Sequence, residues 1–222
     1  MSQELESFEA KRARAEVCAD LLETQYPDAR AGLDFRNAYE LLVATVLSAQ
    51  TTDTRVNTVT PALFQRWPDA FALADAKIGD LEEAVRPLGL FRRRARALQS
   101  LARHLVAEHD GDIPGTREEL VALSGVGRKT ANVVLGNWFG QQEISVDTHV
   151  ARVTNRLGWV DSKSPLAIER ELWALLPDAQ WTVLSHRLIQ LGRQVCHARN
   201  PLCEECVLAE LCPSSRGEAS PE

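Results

Sequence analysis

Apolar residues recur at three- and four-residue intervals along almost the whole chain, and this helical spacing is the strongest constraint on its fold. Alternating apolar and polar residues, the pattern of a half-buried strand, are nearly absent. The spacing is clear in one segment that carries Phe91, Ala95, Leu98, Leu101 and Leu105. The sequence therefore predicts an all-α fold of about ten helices.

Three predicted helices begin with recognisable signals. Thr116 stands three residues before Glu119, as in a capping box, and Ser164 precedes Pro165, as in an N-cap followed by a first-turn proline. Asp147 precedes a periodic segment that ends near Gly158. We expect a helix to start at each of these positions.

The chain has 222 residues, of which 45% are hydrophobic and 25% charged, with 12 Gly and 10 Pro. Such a chain can bury about 70% of its unfolded surface in one or two domains, which excludes wholesale disorder, collagen and coiled coil. No apolar run reaches the roughly 18 residues of a membrane span, and the amino-terminal segment is too charged for a secretory signal. We expect a soluble, cytoplasmic protein.

The charge is unevenly distributed along the sequence. A net charge of −6 taken alone argues against a polyanionic partner. However, residues 86–107, 120–142 and 179–203 contain no acid and carry eleven Lys and Arg between them. This segregation is compatible with a positive face for nucleic acid, or with ordinary solvated helix faces. Only four residues are Lys, and Lys129 lies in the least polar, most glycine-rich region.

A tight turn, Ser124-Gly125-Val126-Gly127, separates two predicted helices, the second starting near Arg128. Two glycines around one apolar residue allow a sharp reversal and leave the first amides of the next helix pointing outward. Those amides, the positive helix end and Arg128 suit a phosphate. The alternative is a simple connector between packed helices.

Four of the five cysteines follow the pattern C-x6-C-x2-C-x5-C, at Cys196, Cys203, Cys206 and Cys212. An odd cysteine count without an export signal favours metal ligation over disulfides. The spacing suits a cubane cluster better than structural zinc, which usually takes two separated pairs. The loop between the first two cysteines offers Arg199 to a phosphate. Cys18, far away in the sequence, is expected in the core.

Three motifs together resemble the endonuclease III family of DNA glycosylases. The segment Leu123–Ala131 is similar to the helix-hairpin-helix motif of base excision enzymes and departs from it only at Ser124, where Pro is common. Residues 145–150 match the family's Val-Asp-Thr-His segment. The cysteine spacing is the third motif, and the resemblance extends over residues 5–213.

The resemblance implies two helical domains and one 4Fe-4S cluster. A six-helix barrel containing the helix-hairpin-helix would span residues 31–141, and an iron-sulfur cluster domain would join residues 1–30 to residues 142–213. Residues 214–222 are expected to be a disordered tail. The four clustered cysteines are the expected ligands, and the cluster is expected to be structural.

The resemblance also implies the catalytic residues. Lys129 would be the nucleophile of a bifunctional glycosylase, and the start of a helix favours its neutral amine. Asp147 would stabilise positive charge at C1′ and assist proton transfer, while also capping its helix. His149 would orient groups or contact phosphate, against the default of a structural histidine.

Two loops are expected to act when a nucleotide leaves the duplex. By the resemblance, Gln50 probes the orphaned partner base and Leu90 is an apolar wedge, although a solvated Gln and a core Leu are the ordinary alternatives. The run Phe91-Arg92-Arg93-Arg94 is expected to contact phosphates strongly. The residues expected to contact DNA are Gln50, Leu90, Arg92, Arg93, Gly125, Gly127, Arg128, His149 and Arg199.

The function implied is base excision repair: removal of oxidised pyrimidines from duplex DNA, followed by strand cleavage at the abasic site through a Lys Schiff base. The expected partner is double-stranded DNA with a damaged base or abasic site, bound by a nucleoid-associated monomer. Two alternatives stay open: a monofunctional glycosylase of the mismatch adenine type, and a non-catalytic DNA-binding iron-sulfur protein.

Overall fold

A computed structural model of the chain describes residues 6–177 and 179–215. All regular secondary structure within these ranges is helical, as the sequence predicted. The α-helices are α1 (Phe8–Gln25), α2 (Ala38–Leu47), α3 (Asp53–Asn57), α4 (Thr60–Arg66), α5 (Ala70–Ala74), α6 (Ile78–Val85), α7 (Phe91–His109), α8 (Arg117–Ala122), α9 (Arg128–Asn137), α10 (Thr148–Arg156), α11 (Pro165–Leu175) and α12 (Trp181–Gln194). The described ranges thus hold twelve α-helices rather than about ten, because α3 and α5 are only five residues long.

One compact unit comprises residues 31–143 and contains α2 to α9. Helix α7 packs against both α5 and α6, and α2 packs against α9 and α7. Their inward faces are fully buried and form one hydrophobic core, which includes Leu41, Leu42, Leu98, Leu101 and Leu135. Burial of the apolar stripe that the sequence showed on α7 holds this unit together.

Within the described residues, the other compact unit comprises residues 6–30, 144–177 and 179–215, so two separate stretches of chain build it. Helix α1 packs against α11 and α12, and α10 packs against α12. Its core includes Leu22, Trp159, Trp181 and the fully buried Cys18. The units divide between residues 143 and 144, two residues after the predicted boundary.

All three predicted N-caps lie where the sequence placed them. Thr116 caps α8 and its hydroxyl accepts the Glu119 amide at 3.3 Å. Asp147 caps α10. Ser164 stands before Pro165 at the start of α11, but its side chain makes no capping hydrogen bond.

The prediction of a disordered tail from residue 214 is wrong for residues 214 and 215. Pro213–Ser215 form a 3-10 turn. The Ser214 hydroxyl donates to the Arg156 carbonyl at 2.8 Å. Residues 216–222 lie outside the described residues.

No helix in the described part of the chain is both long enough and apolar enough to cross a membrane.

Candidate functional site

The predicted hairpin joins α8 to α9. Gly125 has a φ of +80°, which a glycine adopts without the cost that a side chain would add. Val126 between the glycines is buried, and its amide donates to the Leu123 carbonyl at 3.1 Å. The amides of Gly125 and Gly127 have no acceptor among the described residues. The hairpin therefore presents unpaired N–H groups beside the positive end of α9, the arrangement that binds anions.

A buried polar network fixes the two hairpin helices relative to each other. The Arg117 guanidinium, on α8, donates to the Asn132 side chain on α9 at 3.1 Å and forms an ion pair with Glu143. Asn132 and Glu143 are both buried. Sequence analysis missed this network; the visible signal was a polar Asn132 on the apolar side of α9.

Lys129 is the second residue of α9, and its side chain is exposed. It forms no ion pair with a carboxylate of its own unit. A Cβ added at Gly127, two residues earlier, would meet nothing within 4 Å. The exposed Lys129 side chain therefore follows, two residues later, an open glycine whose amide is unpaired. Arg128 is exposed at the adjacent position.

Asp147 is half-buried and holds the start of α10. Its Oδ1 atom accepts the amides of His149 at 2.8 Å and Val150 at 2.9 Å. Its Oδ2 atom accepts no hydrogen bond from the described residues. One oxygen therefore acts as the cap and the other is available to a ligand, so the capping and chemical interpretations are compatible.

His149 is half-buried against the chain at Gly192, where an added Cβ would come within 2.9 Å of the His149 Cβ atom. Its Nδ1 atom lies 3.1 Å from Nη2 of Arg152. A guanidinium only donates, so Nδ1 accepts and the ring proton belongs on Nε2. The ring can thus offer one N–H donor.

The four clustered cysteines are half-buried thiols, none of them in a disulfide. Cys196, Cys206 and Cys212 pack against the core of their unit. Burial raises the pKa of the Cys206 thiol, and repulsion from the other three cysteines raises it further. No three His, Cys, Asp or Glu side chains of the described residues are placed to hold a single metal ion. Four thiols within one short segment of the sequence nevertheless suit the ligation of an iron-sulfur cubane.

The loop after Cys196 is braced from α10. Arg156 donates to the Cys196 sulfur at 3.2 Å, to the His197 carbonyl at 2.6 Å and to the Ala198 carbonyl at 2.9 Å. Arg199 follows as an exposed side chain. Sequence analysis did not identify Arg156, because an Arg near a helix end has no distinctive pattern.

Both residues predicted to enter the duplex occupy the left-handed region of backbone space. Gln50, in the loop after α2, has a φ of +61°, and Leu90, at the start of α7, has a φ of +47°. Gln50 is exposed, and Leu90 is 55% exposed although it is apolar. This conformation is costly for a residue other than glycine and concentrates at functional sites. The core alternative for Leu90 is therefore wrong.

The arginine run divides into two kinds of residue. Arg92 and Arg93 are exposed, and the Arg92 guanidinium lies 5.4 Å from the centre of the Phe91 ring. Arg94 is only 7% exposed. The expectation that the whole run contacts phosphate is therefore wrong for Arg94, because its guanidinium is used inside the protein.

The predicted residues are distributed over both units. Residues 31–143 carry Gln50, Leu90, Arg92, Arg93, Gly125, Gly127, Arg128 and Lys129. Residues 144–215 carry Asp147, His149, Cys196, Arg199, Cys203, Cys206 and Cys212.

Two family models match the chain. Residues 43–178 match the HhH-GPD superfamily of base excision DNA repair proteins, and residues 196–212 match the iron-sulfur binding domain of endonuclease III. The first match covers more than half of the chain and includes the hairpin and Asp147. The second begins and ends at the outer cysteines of the cluster.

Whole-chain relatives agree with these matches. Endonuclease III of Synechocystis sp. is 48% identical over 97% of this chain and 99% of its own length. Endonuclease III of Bacillus subtilis is 42% identical over 89% of this chain and 90% of its own length. A solved structure of a trapped endonuclease III–DNA covalent intermediate matches with a TM-score of 0.87 and 41% identity, over 92% of this chain and 96% of that one. The chain is therefore a member of the endonuclease III family, a base excision repair DNA glycosylase and abasic-site lyase with an iron-sulfur binding domain for a 4Fe-4S cluster.

Proposed function

We propose that the chain removes oxidised pyrimidines from duplex DNA and then cleaves the strand, with Lys129 as nucleophile and Asp147 as the catalytic carboxylate. The observation that carries this proposal is the exposed Lys129 amine directly after a turn with unpaired amides. Amides and the positive helix end would bind a phosphate and bring the amine to the deoxyribose next to it.

The first step forms a bond from Lys129 Nζ to C1′ and breaks the bond between C1′ and the base. The departing base takes the bonding electrons and a proton. Asp147 stabilises the positive charge that develops at C1′ and accepts a proton from the attacking nitrogen. The C1′–O4′ bond then breaks as the C1′–Nζ double bond forms, and O4′ takes a proton, which leaves a protonated Schiff base between Lys129 and C1′.

The second step is β-elimination. Loss of a C2′ proton forms a C2′–C3′ double bond conjugated with the C1′–Nζ double bond, and the 3′ phosphate leaves with the electrons of the broken C3′–O bond. Water then hydrolyses the Schiff base and restores the amine. The half-buried Asp147, with one oxygen outside the cap, is suited to carry protons in both steps.

DNA contact falls to residues of both units, all of them exposed except the half-buried His149. Gln50 and Leu90 would fill the space of the extruded nucleotide, and the remaining contacts are to phosphate. The phosphate contacts proposed are Arg92, Arg93, Gly125, Gly127, Arg128, His149 and Arg199.

The four clustered cysteines are the proposed ligands of the 4Fe-4S cluster. When bound, the cluster would cross-link the carboxy-terminal segment and supply rigidity rather than a reaction step. Cys196 already receives a hydrogen bond from Arg156, which orients that ligand. The proposal includes a monomer that acts in the cytoplasm on nucleoid DNA.

Borohydride trapping on a duplex containing thymine glycol tests the proposal. The wild-type protein should release the base and form a covalent adduct that peptide mapping assigns to Lys129. Lys129→Gln should abolish the adduct, while the matched control Lys77→Gln, another exposed lysine, should retain it. A persistent adduct in Lys129→Gln would refute the assignment. Base release without any adduct would identify a monofunctional glycosylase, and binding without turnover a non-catalytic protein.

A further inference from the structure

Arg94 is a buried cation without a carboxylate partner among the described residues. It lies in the first turn of α7 and is 7% exposed, with its pKa lowered by burial. A guanidinium remains charged even when buried, so its burial is costly unless its N–H groups are well bonded. The placement of those bonds explains why the charge is tolerated.

Among the described residues, the guanidinium of Arg94 donates only to backbone carbonyls, and these belong to two separate segments of the chain. It donates to the carbonyl of Leu47, the last residue of α2, and to that of Ala49 in the following loop, the latter at 2.9 Å. On the loop before α7 it donates to the carbonyls of Gly89 at 2.9 Å and Leu88 at 3.4 Å. One planar group thus links the end of α2 to the start of α7.

Two of these carbonyls immediately precede the left-handed residues. The Ala49 carbonyl belongs to the peptide unit that ends at the Gln50 nitrogen, and the Gly89 carbonyl to the unit that ends at the Leu90 nitrogen. A hydrogen bond to its carbonyl opposes the flipping of a peptide unit, and this restrains the φ of the residue that follows it. Arg94 therefore opposes relaxation at Gln50 and at Leu90 simultaneously.

We propose that Arg94 is a positioning residue that fixes the Gln50 and Leu90 loops as one rigid pair for entry into the duplex. The proposal rests on the DNA-probing role given to those two residues above. Gln50 and Leu90 touch the DNA; Arg94 acts through them and does not itself contact a phosphate.

The donor geometry explains why an arginine stands here. A guanidinium offers five N–H donors in one plane, enough for four carbonyls that approach from two sides. The ammonium of a lysine is a point charge with three donors and cannot reach both loops in the same way. Arg94→Lys should therefore hold one loop better than the other, whereas Arg94→Met keeps the stem length and holds neither.

Hydrogen exchange on the protein with its iron-sulfur cluster bound tests whether Arg94 fixes both loops. The amides of Thr51 and Gly89 donate to backbone carbonyls within the two loops and are therefore suitable probes. Arg94→Met should accelerate exchange at both by about tenfold or more, with the hairpin amide of Val126 unchanged. The control is Arg103→Met, which removes an exposed cation from the same helix. If exchange in Arg94→Met is unchanged, or is faster in one loop alone, the proposal that Arg94 fixes both loops is wrong.

The rate of single-turnover base release tests whether Arg94 affects function. On a thymine glycol duplex, Arg94→Met should be slower by about 10²-fold, since small misplacements at a site cost that much. On the same lesion in a single strand, which has no partner base to displace, the loss should be within about twofold. Equal losses on both substrates would overturn the positioning role.

Two further variants test the DNA-probing role of Gln50 and Leu90 independently of the role of Arg94. Gln50→Ala and Leu90→Ala should each slow the duplex reaction and spare the single strand. If both leave duplex turnover unchanged while Arg94→Met still loosens both loops, the probing role is wrong and Arg94 is only a structural link. Should Arg94→Met fail to fold, the exchange and turnover measurements on Arg94→Lys decide the same question.

Discussion

Two substitutions at Asp147 separate its structural and chemical roles. Its Oδ1 atom accepts two backbone amides, at 2.8 and 2.9 Å, at the start of α10. Asn keeps a carbonyl oxygen there and caps about as well as Asp, so Asp147→Asn should change the free energy of unfolding by only a few tenths of a kcal/mol. Asp147→Ala leaves both amides unpaired and should cost about 1 kcal/mol, roughly 2–4 °C in Tm for a chain of this length.

Both substitutions remove the negative charge, and base release should suffer much more than stability. Loss of a carboxylate that assists proton transfer typically costs about 10²–10⁴-fold, or roughly 3–5 kcal/mol of barrier. The assays are single-turnover base release from a thymine glycol duplex, DNA affinity by fluorescence anisotropy and urea unfolding. Asp69→Asn is the matched control, since Asp69 caps α5 through the Ala72 amide at 2.8 Å.

Base release at the wild-type rate in Asp147→Asn would refute the catalytic role of the charge. A loss of DNA affinity that parallels the loss of turnover would instead identify Asp147 as a structural cap. If Asp147→Ala has the same free energy of unfolding as the wild type, the expected capping contribution of about 1 kcal/mol is wrong.

The remaining predictions concern the cluster, the hairpin and the basic surface. Cys203→Ser should lose iron and visible absorbance, whereas Cys18→Ser should keep both. Burial raises the pKa of Cys18 to about 11, so in the folded wild-type protein this thiol should resist alkylation at pH 8. Gly125→Ala should destabilise the protein by about 1–2 kcal/mol in urea unfolding because its φ is +80°, while Gly127→Ala, at φ −95°, should fold normally. Arg93→Gln should reduce the salt dependence of DNA binding by about one unit of slope, measured by anisotropy at several salt concentrations. An unchanged slope would exclude a phosphate contact.

Local signals in the sequence identified the elements that depend on local physics. Thr116 and Asp147 cap helices because a short oxygen-bearing side chain next to orphan amides is favourable whatever the rest of the fold. The start of α9 at Arg128 follows from the conformational freedom of Gly125. These features need only a few neighbouring residues, so one sequence was enough to find them.

The features that sequence analysis missed depend on residues far apart in the chain. Arg94 cannot be distinguished in the sequence from its exposed neighbours Arg92 and Arg93. Its burial is explained by hydrogen bonds to backbone carbonyls, including that of Ala49, 45 residues earlier in the chain. The left-handed backbone at Gln50 has no local signature, because Gln is not a residue that favours positive φ. A helix of five residues such as α3 is too short to establish a period in the sequence, so the number of helices was underestimated.

One unit is built from a continuous stretch of chain and the other from two separate stretches, so the two units can fold at different stages of synthesis. Residues 31–143 are one continuous stretch, so their core can close while the ribosome still translates the remainder. The other unit needs α1 together with segments made after residue 144, including Leu208. At 5–20 residues per second, α1 must keep Cys18 and Leu22 uncovered for on the order of ten seconds or more after it emerges. A nascent chain of this family should therefore need protection at its amino-terminal helix until its last cysteines have been made.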